Sequence, residues 1–244
     1  MCKKKENDII LELYRSAKFG HYIQGFIHNI NNPLTTISGR FQLLQFSNPE
    51  IPYLEELNQL LLKVNEMISM LGDIASFDFH NNSSYCEITS VINYLDFFML
   101  ADSTYKHYVA KDLQTSPTVF LNITYSDMFL LLLHIFQNAV DSLKLSDKES
   151  KKLVFKYEVE KPYVFRFSVE DNGVGIKKEI KDKIFEPGFS TKESNWELYR
   201  FPRYGYGLKI VKTIVEKYNG ELKIHSAEKE GTIVFVSLPV VKSF

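Results

Sequence analysis

Apolar residues recur along the first third of the chain at a spacing that alternates four and three. From Ile23 they run through Ile27, Ile30, Leu34, Ile37, Phe41 and Leu44, a heptad seam on one helix face. Ser47-Asn48-Pro49-Glu50-Ile51-Pro52 breaks that helix. A second seam follows at Leu54, Leu57, Leu61, Val64, Ile68, Leu71 and Ala75. Two such helices joined by a short loop form an antiparallel hairpin. One hairpin cannot cover both of its faces, so the pattern predicts a homodimer in which two hairpins make a four-helix bundle. A short helix over Asp8–Lys18 precedes it.

The pattern changes after His80-Asn81-Asn82-Ser83-Ser84, a polar, turn-prone stretch. Strand-like runs are expected at Thr118–Thr124, Leu153–Glu160, Tyr163–Asp171, Glu221–Ser226 and Thr232–Leu238. Helical runs are expected at about Ser90–Asp102, Asp127–Leu145 and Gly207–Tyr218. Breaks at Lys161-Pro162 and Glu228–Gly231 mark hairpins. The expected fold class is therefore α+β: a helical hairpin, then a two-layer α/β sandwich with a mixed, largely antiparallel sheet. The expected domains are the hairpin over 1–80, a linker over 81–84 and the sandwich over 85–244.

Composition narrows the class. A formal net charge of -1 argues against nucleic acid as a partner, since phosphate neutralisation needs a basic surplus. Cys2 and Cys86 are too far apart for a CxxC pair and fit a reducing, cytoplasmic setting. The longest apolar run, Met128–Phe136, is about half of the ~20 residues a membrane span needs. Lys3-Lys4-Lys5 has no apolar core behind it, so no signal peptide is expected.

Candidate chemistry begins in the first helix. His28 follows the seam residue Ile27 and is turned about 100° from the core, on the rim of the expected bundle. Pro33, five residues on, removes the N–H that would bond the carbonyl of Asn29. A rim histidine is more often inert surface; a helix fault beside a titratable nucleophile points toward chemistry. In the sandwich, Phe165, Phe167, Val169 and Asp171 share one strand face. Asp171 is thus a core-side carboxylate, costly unless it finds a donor. An adenine amine would serve, with Gly173 and Gly175 permitting close approach. A strand ending in a glycine turn is the plainer reading of that motif alone. His134 and Asn138 lie one turn apart on a helix, and an amide oxygen suits Mg²⁺ shared with phosphates. Gly205 and Gly207 open the last helix, where free N–H groups favour an anion.

Together, Phe26–Leu34, the His134–Asp141 segment, Asp171–Gly175, Phe185–Lys192, Gly205–Leu208 and Gly231-Thr232 stand in the order of the sensor histidine kinases. The chain resembles their phospho-acceptor hairpin over about 8–80 and their Bergerat-fold, GHKL-type ATP domain over about 85–241. The resemblance implies a kinase that uses ATP and Mg²⁺ to phosphorylate His28 and passes the phosphoryl group to an aspartate of a response-regulator receiver domain. It also implies Asn138 as the Mg²⁺ ligand, supported by His134, and Asp171 as the adenine reader. By the same resemblance Asp141, Gly173, Gly175, Thr191, Lys192, Leu208 and Thr232 belong to the ATP site. Gly205 and Gly207 would cradle phosphates, while Phe185 and Phe189 anchor a lid.

The sequence departs from the family at Asn29, where an acid is usual, and at Arg203, where a first glycine is usual. Its lid, about Ser190 to Tyr204, is long and aromatic, with Trp196, Tyr199 and Phe201. An amide at Asn29 cannot take the proton that the histidine must shed, so slow autophosphorylation is expected. Asn32, one turn past His28, stands where the family orients water for dephosphorylating the regulator. The alternative is therefore a kinase-weak member acting mainly as a response-regulator phosphatase, or a non-catalytic ATP-binding scaffold. With about 20 residues before the His box, the input comes from a separate sensor protein, from the Asp8–Lys18 helix, or from a region outside this sequence.

Overall fold

A computed structural model of the chain describes residues 30–48, 51, 54–77, 85–160, 164–191 and 205–239. The chain divides into two compact units, Met1–Asn81 and Asn82–Phe244. The Asp8–Lys18 helix, His28, Asn29, the 81–84 linker, Lys192 and most of the lid lie outside the described residues.

In the first unit, helix α1 covers 30–47 and α2 covers Leu54–Phe77. Glu55 and Glu56 occupy the first turn of α2, where the helix dipole favours negative charge. The helices meet at two polar bridges. Gln45 donates to Glu55 at 2.6 Å and Asn65 to the Ser38 hydroxyl at 3.2 Å. Beside Pro33, the Thr35 and Thr36 hydroxyls donate to the carbonyls of Asn31 and Asn32 at 2.8 and 3.2 Å. The heptad seams split between two surroundings. Leu54 is buried, and Leu34, Phe41, Leu61 and Ile68 are half-buried; Ile37, Leu44, Leu57 and Val64 stay exposed.

The second unit carries a five-stranded sheet in the order β2-β4-β5-β7-β6, built from β2 (Val109–Leu113), β4 (Lys151–Glu160), β5 (Val164–Asp171), β6 (Glu221–Ala227) and β7 (Gly231–Leu238). Only β2–β4 is parallel, and the other three pairings are antiparallel. This is the mixed, largely antiparallel sheet that the alternation predicts. One face is covered by α3 (Ile88–Met99), α5 (Tyr125–Lys144) and α6 (Gly207–Lys217), whose apolar stripes join the core. Phe136 of α5 lies 6.1 Å from Phe155, which packs on Phe167 at 5.9 Å, so large aromatic contacts fix α5 to the sheet.

Two expectations change. The run Thr118–Thr124 is not a strand of the main sheet. Only β3 (Phe120–Leu121) pairs there, with β1 (Cys86–Glu87) in a separate ladder. Thr124 is diverted because its hydroxyl accepts the Asp127 N–H and caps α5. Strand β2 and helix α4 (Ser103–Tyr108) are additions. Asp102 caps α4 by accepting the Thr104 and Tyr105 N–H groups.

At the far end of the helical layer, Asp127 accepts hydrogen bonds from Lys217 at 2.6 Å and from the Tyr218 hydroxyl at 2.7 Å. The Tyr218 oxygen accepts the Thr124 N–H in turn. This clasp joins the start of α5 to the end of α6. The two helices lie side by side, and the N-terminus of α6 comes to rest against the middle of α5.

Candidate nucleotide site

Asp171 ends the central strand β5 and is 6% exposed. Its Oδ1 accepts the Ser142 hydroxyl at 3.0 Å and the Gly173 N–H at 2.9 Å. Among the described residues, both of these bonds fall on Oδ1. Burial pushes this carboxyl up from 3.8 to about 6, against the two hydrogen bonds that favour its charged form. A donor from a ligand would favour the ion further.

The turn after Asp171 is built by close approach. A Cβ on Gly173 would stand 2.2 Å from the Ser142 hydroxyl oxygen. Gly175, at φ +69°, lies against the carbonyl of Ala227, which a Cβ would meet at 2.0 Å. These glycines are needed for contacts within the chain itself. Val174 donates to the Ser142 carbonyl at 3.3 Å and accepts from Lys229 at 2.7 Å. Thr232, buried opposite Asp171 on β7, shares a 2.9 Å hydrogen bond with Ser226, whose hydroxyl also accepts the Ile176 N–H. Asn172 splints the neighbouring strand, accepting from Lys152 N–H and donating to the Ser150 carbonyl.

Helix α5 passes along this site. His134, Asn138 and Ser142 recur every four residues, are all half-buried, and share one stripe. The stripe spans about 12 Å at the helical rise of 1.5 Å per residue. Its Ser142 end touches Asp171. Its His134 end touches Gly207, the first residue of α6, where a Cβ would stand 3.4 Å from the imidazole Nδ1. The geometry is that of a carboxylate at one end, an amide in the middle, and a histidine with a helix N-terminus at the other.

The remaining sequence-predicted residues fall as follows. Asp141 is fully buried on α5, and Leu208 is half-buried in the first turn of α6. Phe185 lies under Lys212 of α6, with the ammonium 5.5 Å from the ring centre. Phe189 is half-buried and Thr191 is exposed. Gly188 and Gly205, at φ +77° and +75°, face each other through a Gly188 N–H to Gly205 carbonyl bond of 3.2 Å. A Cβ on Gly205 would meet the Gly188 carbonyl carbon at 2.6 Å. Asn32 is exposed on α1, in the other unit. Sequence reasoning missed Ser142. Its place one turn past Asn138 was the available signal.

Residues 125–242 match the model of the histidine kinase-, DNA gyrase B-, and HSP90-like ATPases. This stretch of chain belongs to that ATPase family. Curated relatives extend the likeness over nearly the whole chain. The signal transduction histidine-protein kinase AtoS of Escherichia coli is 23% identical over 98% of this chain and 38% of its own length. Sporulation kinase D of Bacillus subtilis is 29% identical over 88% and 41%. The chain is thus a sensor histidine kinase relative spanning about two fifths of these proteins. Among solved structures, the mycobacterial sensor histidine kinase MprB superposes with a TM-score of 0.51 over 65% of this chain and 98% of that one, at 21% identity. The histidine kinase domain of Erythrobacter litoralis EL346 gives 0.51 over 91% and 94%, at 15% identity. These likenesses show a shared fold. Among the described residues, no helix is long and apolar enough to cross a membrane.

Proposed function

We propose that the chain is the catalytic core of a cytoplasmic, ATP-dependent protein histidine kinase that phosphorylates His28. The observation that carries this reading is the α5 stripe. Ser142 leads to a buried carboxylate suited to an adenine amine, and His134 leads to the glycine-opened N-terminus of α6, suited to phosphates. The family supplies ATP as the nucleotide. A solved neighbour, ShkA, was crystallised in complex with AMPPNP.

Asn138 lies between the two ends, where an amide oxygen would hold Mg²⁺ together with the phosphates. Among the described residues no cluster of three or more acidic, histidine or cysteine side chains is placed to hold a metal. Mg²⁺ takes few protein ligands and keeps phosphate oxygens and water. When bound, the ion neutralises phosphate charge. Thr232, Gly173 and Gly175 frame the purine end. Gly205, Gly207 and Leu208 would form the phosphate end, with Thr191 and Lys192 assigned to the lid and Phe185 to its anchor. Asp141, fully buried on α5, is assigned to the same site.

In the reaction the unprotonated nitrogen of the His28 imidazole attacks the γ-phosphorus. The N–P bond forms as the bond to the β,γ-bridging oxygen breaks, and ADP leaves with that electron pair. The other ring nitrogen sheds its proton. A receiver-domain aspartate then attacks phosphorus and the N–P bond breaks, restoring histidine. The exposed heptad positions Ile37, Leu44, Leu57 and Val64 support pairing of two hairpins as a four-helix bundle. Incubation with γ-labelled ATP and Mg²⁺ should give acid-labile label on the wild type and none on His28→Ala. Equal labelling of both proteins would refute the assignment.

Asn29 favours a second reading. Without an adjacent acid the forward reaction lacks a base, while Asn32, exposed on α1, is available to orient water against a phosphorylated regulator. A protein that labels poorly yet speeds loss of phosphate from its regulator would be chiefly a phosphatase. One that does neither would be an ATP-binding scaffold.

A further inference from the structure

We propose that Ser142 is a positioning residue of the nucleotide site. Its hydroxyl and carbonyl together hold the Asp171–Val174 turn so that Asp171 meets the purine as a hydrogen-bond acceptor, which selects adenine over guanine. The inference rests on the nucleotide reading above and concerns a residue outside the family boxes in the sequence.

Three contacts carry it. The Ser142 hydroxyl donates to Asp171 Oδ1 at 3.0 Å, and the Ser142 carbonyl accepts the Val174 N–H at 3.3 Å. One residue thus grips both ends of the turn. The third contact is steric. The Ser142 oxygen occupies the space that a Cβ on Gly173 would fill, 2.2 Å from where it would stand. The turn and the serine fit as tongue and notch, and neither can shift alone.

The chemistry follows from what Oδ1 receives. Ser142 and the Gly173 N–H both donate to it, so a proton on that oxygen would displace one of them. Both bonds are stronger to the ion, so they work against the burial that raises the carboxyl, and with the charge kept Oδ2 is an acceptor. Adenine offers an exocyclic N–H₂ donor, whereas guanine offers a carbonyl oxygen at the same place. A protonated Asp171 could donate to guanine, and an ionised one repels it. The other charges near Asp171 are Glu170 on β5, which works against ionisation, and Lys148 after α5, which favours it. Asp141 is the carboxyl adjacent to Ser142 on α5. None of these is changed in the test.

The direct measurement is a carbon NMR titration of the Asp171 carboxyl in the full chain without nucleotide, for wild type, Ser142→Ala and Ser142→Thr. The alanine variant should move the midpoint upward by about one pH unit, and threonine, which keeps the hydroxyl, should leave it in place. Calorimetric titration with Mg-AMPPNP and Mg-GMPPNP at pH 7 reads the consequence. Ser142→Ala should weaken AMPPNP about tenfold and narrow its advantage over the guanine analogue by a similar factor. Thermal melts monitor folding, and the threonine variant keeps the test open if alanine unfolds the protein. An unchanged midpoint in Ser142→Ala, or a threonine variant that behaves like alanine, overturns the inference while leaving nucleotide binding intact. If wild-type protein binds neither analogue, the nucleotide reading falls and the selectivity claim with it.

Discussion

Asp171 places an ionisable group where the unliganded fold is more stable without its charge. Its carboxyl titrates at about 6 in the fold against an ordinary 3.8. A carboxyl shifted upward takes up a proton on folding. The fold is therefore favoured below about pH 4 and loses stability as pH rises through 6. At pH 7 the cost is about 3 kcal/mol. Asp171→Asn should raise the unfolding free energy by up to that amount at pH 7, with the gain vanishing below about pH 4, as denaturant melts across pH would show. The same variant should weaken AMPPNP binding at least ~100-fold, because an amide presents the adenine with a poorer acceptor or a donor. A loss of stability at pH 7 would count against a charge held for its ligand. The sequence shows Asp171 because Phe165, Phe167 and Val169 carry the strand alternation up to it. It hides Ser142, whose partner lies 29 residues away and is met only in the tertiary structure. Asn29 is a second residue-scale test. Asn29→Asp or Asn29→Glu should raise the rate of autophosphorylation by about 10²-fold, the usual worth of a general base. An unchanged rate of label uptake would show that base strength is not what limits the reaction.

The helical hairpin sets the next question. Its seams alternate four and three as a bundle requires, yet among the described residues Ile37, Leu44, Leu57 and Val64 stay exposed within one hairpin. Leu57 is 47% exposed and Ile37 is 49% exposed, while Leu54 on the same helix as Leu57 is 6% exposed. Burying the outer half needs a second apolar surface, and a copy of the same hairpin supplies one with matching period. Leu57→Glu should place two charges in that interface and weaken dimerisation by about 100-fold or more. Analytical ultracentrifugation would read it as a shift from dimer to monomer. A wild type that sediments as a monomer at micromolar concentration would contradict the bundle. Helices and long strands were legible because their apolar periods are unbroken. Strand β2 was not. Val109-Ala110-Lys111-Asp112-Leu113 has three consecutive exposed residues, and its strand state comes from pairing with β4 at the sheet edge. Helix α4 is six residues long and depends on the Asp102 cap, too short to show a period.

At the scale of the molecule, the boxes that are far apart in sequence converge because the sheet and the α5–α6 clasp bring them together. Residues 134–142, 171–175, 205–208 and 232 meet at one end of the sandwich, and the ATPase family assignment covers that same region. His28, the proposed phospho-acceptor, belongs to the other unit, so the proposal depends on chemistry passing between two units of one protein or of a pair. Phosphorus NMR of the full chain after incubation with Mg-ATP tests this most directly. The account predicts a new phosphoramidate resonance that disappears on acidification and is absent from His28→Ala. A phosphate-ester resonance, or a phosphoramidate that persists without His28, would contradict it.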